Sequence, residues 1–87
     1  IMKKIEKILK ALANRRRLAI LKFLKNNKEA SVGEIAGEIN LSVKSTSKHL
    51  GILSATDIVE KQQRSLQMFY RLSDNQEPPA KNIIFLL

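Results

Sequence analysis

The sequence predicts a mainly helical fold with one small β-hairpin. Up to about Ala55, apolar residues recur at the spacing of helices, and polar capping residues divide this part of the chain into four segments. After Asp57 the apolar period changes from about 3.6 to about two, as in a strand that is buried on one side. We expect one domain over residues 1–87 with a small core, because so short a chain buries only about 60–65% of its unfolded surface.

The first helix is predicted from a single apolar stripe. The stripe has the i, i+3, i+4, i+7 spacing and consists of Ile5, Ile8, Leu9 and Leu12. A basic amphipathic helix of this kind could lie on a membrane, but it has no Trp or Phe anchor and only about three turns. Packing against protein is therefore the favoured interpretation.

Capping residues mark where the next two helices begin. Asn14 is a good N-cap for a second helix that ends near Asn26. The apolar face of this helix consists of Leu18, Ile20, Leu21 and Leu24. Ser31 and Glu34 have the spacing of a capping box, which opens a short third helix through Ile39.

A fourth helix is predicted after a tight break at Asn40-Leu41. Ser42 is its N-cap, and the helix runs to about Ala55. Two short helices joined by so few residues form a helix-turn-helix unit, so the third and fourth helices are predicted to be such a pair.

The segment after the fourth helix predicts a hairpin. A strand starts at Ile58-Val59, residues 61–65 form a polar tip, and residues 67–72 return along the first strand. In the returning strand Met68, Tyr70 and Leu72 share one face, which predicts burial on one side. The tip lacks the Asn-Gly or Asp-Gly pair of a tight two-residue turn.

The composition narrows the classes of function. The chain has no cysteine, which excludes a disulfide scaffold, a thiolate metal site and a cysteine nucleophile. No apolar run approaches the roughly 18–20 residues that span a bilayer, and no signal-peptide pattern opens the chain. With one histidine and no pairing of a nucleophile with a base, an enzyme is disfavoured. The sequence therefore predicts a cytoplasmic protein that is not an enzyme, needs no cofactor and does not bind membranes.

The formal net charge of +8 is concentrated in the first third of the chain. Residues 1–28 contain one acidic residue, Glu6, and ten basic ones: Lys3, Lys4, Lys7, Lys10, Arg15, Arg16, Arg17, Lys22, Lys25 and Lys28. Such asymmetry favours a polyanionic partner, either nucleic acid or an anionic membrane surface, over lysines that merely keep the protein soluble. Arg15 and Arg16 either meet phosphate or form a solvated face.

Helix, helix, helix-turn-helix and hairpin follow one another in the order of a winged helix. Residues 4–72 resemble an ArsR-type (ArsR/SmtB-like) winged helix-turn-helix transcriptional regulator, and MarR-type regulators share this architecture. The matching segments are Leu12-Ala13-Asn14, Arg17-Leu18, Ile20-Leu21, Val32-Gly33-Glu34-Ile35-Ala36, Leu41-Ser42, Ser47-Lys48-His49-Leu50, Leu53, Ile58-Val59 and Tyr70-Arg71-Leu72. The resemblance implies a protein that binds double-stranded DNA.

A rotation of 100° per residue separates two faces of the fourth helix. The side that packs on the domain contains Thr46, His49, Leu50 and Leu53. The other side has no acid to repel phosphate and contains Lys44, Ser47, Lys48 and Gly51. Ser42 and Ser45 lie at the positive end of the helix, which favours a phosphate. We therefore expect this helix to bind the major groove through Ser42, Lys44, Ser45, Ser47 and Lys48, with a solvated face as the alternative for the two lysines.

The hairpin is expected to add contacts as the wing. Arg64 at the predicted tip is suited to enter the minor groove. Gln62, Gln63 and Ser65 would lie near phosphates. Lys61 and Arg71 would add positive charge to the strands.

No metal site is predicted. His49 lies on the inward side of its helix, where a hydrogen-bonded core histidine is favoured over a metal ligand. Family members that sense metals through thiolates use cysteines in the third helix, where this chain has Val-Gly-Glu-Ile-Ala-Gly-Glu. The resemblance also implies a structural role for Arg17, glycine where Asp57 stands, and an aliphatic residue where Thr46 stands.

The end of the chain is interpreted as a linker followed by a dimerisation element, residues 73–87. Residues 73–81 are polar and contain Pro78-Pro79, whereas residues 83–87 are all apolar. A domain this small cannot cover both this end and the stripe of the first helix. Family members dimerise through their first and last helices, which implies an interface of Ile5, Ile8, Leu9, Leu12, Ile83, Ile84 and Phe85.

Together these expectations describe a homodimeric transcriptional regulator. Two-fold symmetry would bring two recognition helices into successive major grooves and predicts a pseudo-palindromic operator. The family mostly acts by occluding promoters, which implies a repressor, and the sequence identifies no effector. Two alternatives remain: a winged-helix module that binds other proteins, and a general RNA- or DNA-packaging protein.

Overall fold

Five helices and a three-stranded antiparallel sheet make up the computed structural model, which describes residues 1–87. The helices are α1 (Met2–Leu12), α2 (Arg15–Asn26), α3 (Val32–Ile39), α4 (Val43–Ala55) and α5 (Ala80–Leu86). The strands are β1 (Ala30–Ser31), β2 (Val59–Arg64) and β3 (Gln67–Leu72), in the sheet order β1-β3-β2. The predicted class, mainly helical with a small hairpin, is confirmed.

The predicted capping residues begin three of the helices. The Asn14 side chain accepts the Arg17 N–H at 3.1 Å, and the Ser42 hydroxyl oxygen accepts the Ser45 N–H at 3.1 Å. Ser31 and Glu34 form the reciprocal capping box, with both hydrogen bonds present. Each cap satisfies an N–H group that the first turn of a helix leaves without a partner, which is why helices begin at these residues.

Three residues outside helices take left-handed backbone conformations, and two of them follow α3 and α4. Asn40, with φ of 55°, ends α3 and turns the chain into α4. Asp57, with φ of 59°, occupies the turn into the wing, where the family resemblance implies glycine. Asn and Asp tolerate this region better than other residues that carry a Cβ, so the departure from glycine at Asp57 is compatible with the fold.

The wing differs from the prediction in where its tip lies. Residues 61–64 belong to β2, with Lys61 paired to Tyr70 and Arg64 to Gln67, and the tip is the two-residue turn Ser65-Leu66. Ser65 has φ of 55°, as tight hairpin turns require. The prediction of a tip at residues 61–65 is wrong because β2 is exposed beyond Val59, so its polar residues show no alternation.

A third strand was not predicted from the sequence. Ala30 pairs with Tyr70 and Ser31 with Phe69 along the other edge of β3. Two residues are too few to show the period of a strand, and the spacing of Ser31 from Glu34 indicates a helix N-cap instead. Through β1, the base of the wing is joined to the segment that opens α3.

The hydrophobic core draws on every helix. Its members with no exposed surface are Ile20, Leu21, Ile35, Leu50 and Leu53. The last helix, α5, packs its buried Ala80 and Ile84 into the same core. None of the five helices has the length and apolar character needed to cross a bilayer.

Candidate nucleic-acid interface

The outward face of α4 is polar and exposed, and its side chains form no internal hydrogen bond or ion pair. Lys44, Ser47, Lys48 and Gly51 are all exposed, and α4 contains no acidic residue. The side chains of Lys44, Ser47 and Lys48 take part in no hydrogen bond or ion pair within the chain. The opposite face fixes the helix to the core through Thr46, Leu50 and Leu53. Two ammonium groups and a hydroxyl are therefore held on a rigid scaffold without a competing partner.

The N-terminal end of α4 adds the two serines expected there. Ser42 is exposed, and its oxygen is engaged as the cap of the helix, so its hydroxyl proton remains available to donate. Ser45 is half-buried and contributes its backbone N–H to that cap. The positive end of the helix dipole and its free N–H groups favour an anion next to Ser42.

Arg64 lies elsewhere than the sequence indicates, and its charge is already paired. It is the last residue of β2, and its guanidinium donates two hydrogen bonds to the Glu29 carboxylate, at 2.5 and 2.8 Å. The group also lies 4.8 Å from the centre of the Phe69 ring. The hydrogen bond from Arg64 lowers the pKa of Glu29 below its usual value, and Glu29 raises that of Arg64. A bidentate ion pair that also stacks on an aromatic ring restricts the Arg64 side chain to one orientation.

The other polar side chains of the wing include both paired and unpaired groups. Arg71 is paired with its cross-strand neighbour Glu60 at 2.6 Å and lies 3.5 Å from Asp74. Lys61 is the one cation of the two wing strands that takes part in no ion pair. Gln63 is exposed and its amide donates weakly to the Ser65 carbonyl at 3.5 Å. Arg71 therefore adds its positive charge to the strand next to two carboxylates that offset it.

The tip of the wing presents an apolar side chain that the sequence did not single out. Leu66 is 96% exposed at the turn, next to Ser65. A single leucine between polar residues does not indicate a functional position in the sequence, since isolated exposed leucines are common on protein surfaces. Glu29 was missed for a different reason, because it is 35 positions away from Arg64 and only the tertiary fold brings them together.

Arg17 has the structural contacts expected of it, whereas His49 is hydrogen-bonded as expected but is half-buried and lies outside the hydrophobic core. Arg17 donates from Nε to the Ala11 carbonyl at 2.6 Å and from Nη2 to the Lys10 carbonyl at 3.2 Å. Its Nη1 lies 3.1 Å from His49 Nδ1. Burial, followed by the charges of Arg17 and Arg16, lowers the pKa of His49 below its usual value. No three His, Asp or Glu side chains come together as a metal site would require.

Arg15 and Arg16 line an open groove on the outer side of α2. With Lys22 they form its basic part, and Phe23 and Ile39 contribute apolar surface. Neither arginine forms an ion pair. Both are exposed, and their guanidinium groups are accessible to solvent and to a phosphate alike.

The residues expected to form a dimer interface separate into buried and exposed members. Ile8, Leu12 and Ile84 are only 5%, 4% and 8% exposed and belong to the core of the single chain. Ile5, Leu9 and Phe85 are 39%, 47% and 80% exposed, and Ile83 is half-buried. The apolar stripe of α1 is therefore shared, because one edge of it packs inward and the other faces solvent.

Comparison with known proteins gives a consistent set of relatives. The family described as "Bacterial regulatory protein, arsR family" matches residues 14–61. The transcriptional activator HlyU of Vibrio cholerae is 41% identical over 69 residues, which is 79% of this chain and 63% of HlyU. The chain thus spans less than two thirds of the length of this curated relative.

Solved structures agree with the sequence relatives. Reduced HlyU from Vibrio cholerae superposes with a TM-score of 0.82 at 38% identity, covering 99% of this chain and 86% of HlyU. The homodimeric winged helix-turn-helix DNA-binding domain Mb0332 of Mycobacterium bovis has a TM-score of 0.84 at 28% identity, covering 98% and 76%. The transcriptional repressor BigR of Xylella fastidiosa has a TM-score of 0.78 at 30% identity, covering 99% and 81%.

Proposed function

The chain belongs to the arsR family of bacterial regulatory proteins, and from this premise we propose that it regulates transcription by sequence-specific binding to double-stranded DNA. The observation that carries the proposal is the outward face of α4, with Lys44, Ser47 and Lys48 exposed and unpaired. A helix face that contacts only solvent can contain acidic residues. A face that contacts phosphates favours their absence, because carboxylates repel phosphates.

Contact with bases would come from the first turns of α4. The major groove is wide enough for a helix, and recognition helices use their N-terminal residues to reach base edges. Lys44, Ser47 and Lys48 can donate to guanine or phosphate oxygens, and Ser42 and Ser45 can serve a phosphate at the helix end. Gly51 has open space around its Cα, so the backbone can approach the groove closely there.

The wing would bind beside this helix with fewer free charges. Gln63 and Ser65 are exposed and can donate to phosphates, and Lys61 is an unpaired cation. Arg64 can enter the minor groove only by exchanging the Glu29 carboxylate for DNA. We therefore assign α4 the larger share of binding and the wing the smaller.

In the proposed function the protein acts as a homodimer. Ile5 and Leu9 of α1 and Phe85 of α5 are exposed apolar side chains, and α1 packs against α5. Mb0332, a relative of the same fold, is homodimeric. Two-fold symmetry would bring both α4 helices to successive major grooves about 34 Å apart, on a pseudo-palindromic site. Sedimentation at micromolar concentration tests this, since a monomer there contradicts the dimer.

A titration against two duplexes tests the function. The protein is titrated with the DNA upstream of its own gene and with a scrambled duplex of equal composition, over a series of salt concentrations. Specific binding should exceed non-specific binding by about a thousandfold or more. Equal affinities would indicate a packaging protein, and no binding to either duplex would indicate a protein-interaction module.

The direction of regulation is a separate measurement. HlyU is an activator and BigR a repressor, so relatives of the same fold act in both directions. We propose repression, because a dimer that covers two successive major grooves occludes a promoter without any further contact. A reporter driven by the bound promoter should lose expression when the protein is supplied; a gain of expression would contradict repression and leave DNA binding intact.

A further inference from the structure

We propose that Arg17 and His49 form a positioning pair that holds α4 against the end of α1, and that specific DNA binding requires His49 to be neutral. The inference rests on the proposed function, since it concerns how the DNA-binding helix is oriented. It starts from three hydrogen bonds that one guanidinium group makes to two different helices.

The first step is the end of α1. The last carbonyl groups of a helix have no N–H partner within the helix. At this corner the Asn14 N–H bonds to the Leu12 carbonyl, which leaves the Lys10 and Ala11 carbonyls without a backbone donor. Arg17 supplies both donors, at 3.2 and 2.6 Å, so its guanidinium is fixed to the C-terminal end of α1.

The second step is the contact with α4. The remaining guanidinium nitrogen lies 3.1 Å from His49 Nδ1. A guanidinium only donates, so His49 Nδ1 must accept, and the proton of the neutral ring must be on Nε2. A protonated imidazole has N–H groups on both nitrogens, so the same contact would then oppose donor to donor and cation to cation.

The surroundings of His49 favour the neutral ring. The charged groups that act on it are Arg17 and Arg16 of α2, both cations, and no carboxylate offsets them. The element α1 contributes the Lys10 and Ala11 carbonyls, which are held by Arg17, and Lys48, the neighbour on α4, is exposed. Burial and the two arginines lower the pKa of His49 from its ordinary value of 6.5.

The pair therefore connects the two surfaces that a dimeric DNA-binding protein must keep in register. The exposed apolar edge of α1 belongs to the proposed dimer interface, and α4 carries the proposed DNA face. Both recognition helices of a dimer must reach their half-sites at the same time. A small rotation of α4 relative to α1 in each subunit therefore removes DNA contacts at both half-sites. Protonation of His49 removes the hydrogen bond that opposes this rotation.

The sign of the pH dependence distinguishes this role from an ordinary histidine near DNA. A histidine close to phosphates gains a favourable charge on protonation, so acidification would tighten binding. Here the pKa of His49 is lower in the folded protein than in the unfolded chain. The stabilising contribution of the pair is therefore complete above the unfolded-state pKa and is lost as the pH falls through the folded-state pKa. Acidification should therefore weaken binding.

The experiment measures DNA affinity at constant salt from about pH 7.5 to about pH 5, a window in which histidine is the one side chain that ordinarily titrates. We expect wild-type affinity to fall by up to about tenfold per pH unit per subunit below the pKa of His49. The variant His49→Asn keeps an acceptor at the same distance from Cβ but does not titrate, so it should bind at neutral pH and lose the dependence. Arg17→Lys, which cannot reach three acceptors at once, should bind weakly at every pH.

A measurement on the unmodified protein completes the test. The chain has one histidine, so its imidazole ¹⁵N signals are unique and report the tautomer without any variant. A proton on Nδ1 of the neutral ring, tighter binding in acid, or an unchanged pH profile in His49→Asn would each overturn the pair. Specific binding that does not weaken in acid overturns the pair alone, whereas no specific binding at any pH overturns the proposed function with it.

Discussion

The outward face of α4 and the wing both carry cations, but α4 leaves both of its lysines free, whereas in the wing only Lys61 is unpaired. Lys44 and Lys48 contact no acidic side chain, whereas Arg64 and Arg71 are held by carboxylates, that of Arg64 belonging to Glu29. A free ammonium group meets a phosphate at no internal cost, while a paired guanidinium must first give up its carboxylate. The comparison teaches that the number of cations on a surface does not measure its capacity to bind DNA.

The largest effect is expected from removing a free cation of α4. Lys48→Ala should weaken specific DNA binding by at least about tenfold, because each half-site loses a direct contact to a base or phosphate. Binding is measured by titration of the specific duplex at constant salt. Thermal unfolding should be unchanged, since Lys48 is exposed and its side chain forms no hydrogen bond or ion pair within the chain.

Arg71→Ala is the matched control for Lys48→Ala. It lowers the net charge by the same amount, so a loss of long-range attraction alone would affect both variants equally. Because Arg71 is already paired with Glu60 and Asp74, its removal should change affinity far less than that of Lys48. Equal losses in the two variants would contradict the distinction between free and paired cations.

A smaller effect, of opposite sign, is expected from releasing Arg64. Glu29→Gln removes the carboxylate that holds both guanidinium nitrogens. The freed group should tighten DNA binding and steepen the dependence of log affinity on log salt by about 0.9 per subunit, the value of one further phosphate contact. The measurement is a salt series on the specific and the scrambled duplex.

Glu38→Gln separates the release of Arg64 from the change in net charge. Glu38 is exposed on α3 and takes part in no ion pair, so its neutralisation adds the same charge without freeing an arginine. The salt dependence should be steeper in Glu29→Gln than in Glu38→Gln. If the two are the same, Arg64 does not reach DNA even when it is free.

The contrast between the two regions also explains what could be predicted from the sequence. The faces of α4 follow from the helical period, and its start follows from Ser42, whose cap bond reaches only to Ser45. Likewise Asn14 and Ser31 bind N–H groups three residues ahead. Interactions within one turn are encoded by adjacent residues, so the fold class, the helix starts and the exposed side of α4 could be predicted.

What could not be predicted depends on distant parts of the chain. The neutralisation of Arg64 needs a residue 35 positions away, and β1 is too short to show a period. An apolar stripe shows that a helix packs against something, but not how much of it packs within its own chain. Ile8 and Leu12 were therefore expected in a dimer interface, although both are buried in the core of the single chain.

The smallest effect concerns the buried side of α4 and should change stability without changing DNA binding. Thr46 is fully buried, and its hydroxyl has no hydrogen-bond partner. Burying a hydroxyl without a partner costs about 1–3 kcal/mol, part of which valine recovers at nearly the same shape. Thr46→Val should raise the free energy of unfolding by about 1 kcal/mol in chemical denaturation. This result would explain why the family places an aliphatic residue at this position.

Thr56→Val is the control, because it makes the same chemical change where the hydroxyl is satisfied. The Thr56 hydroxyl donates to the Ile52 and Leu53 carbonyls, at 3.2 and 3.1 Å, at the C-terminal end of α4. Its loss should lower the free energy of unfolding by about 0.5–1.5 kcal/mol, so the two variants should shift stability in opposite directions. Destabilisation by Thr46→Val would mean that the buried hydroxyl has a partner, such as an internal water. A change in DNA affinity in Thr46→Val would mean that the inner side of α4 also sets its DNA-binding face, and the division between the two faces would then be wrong.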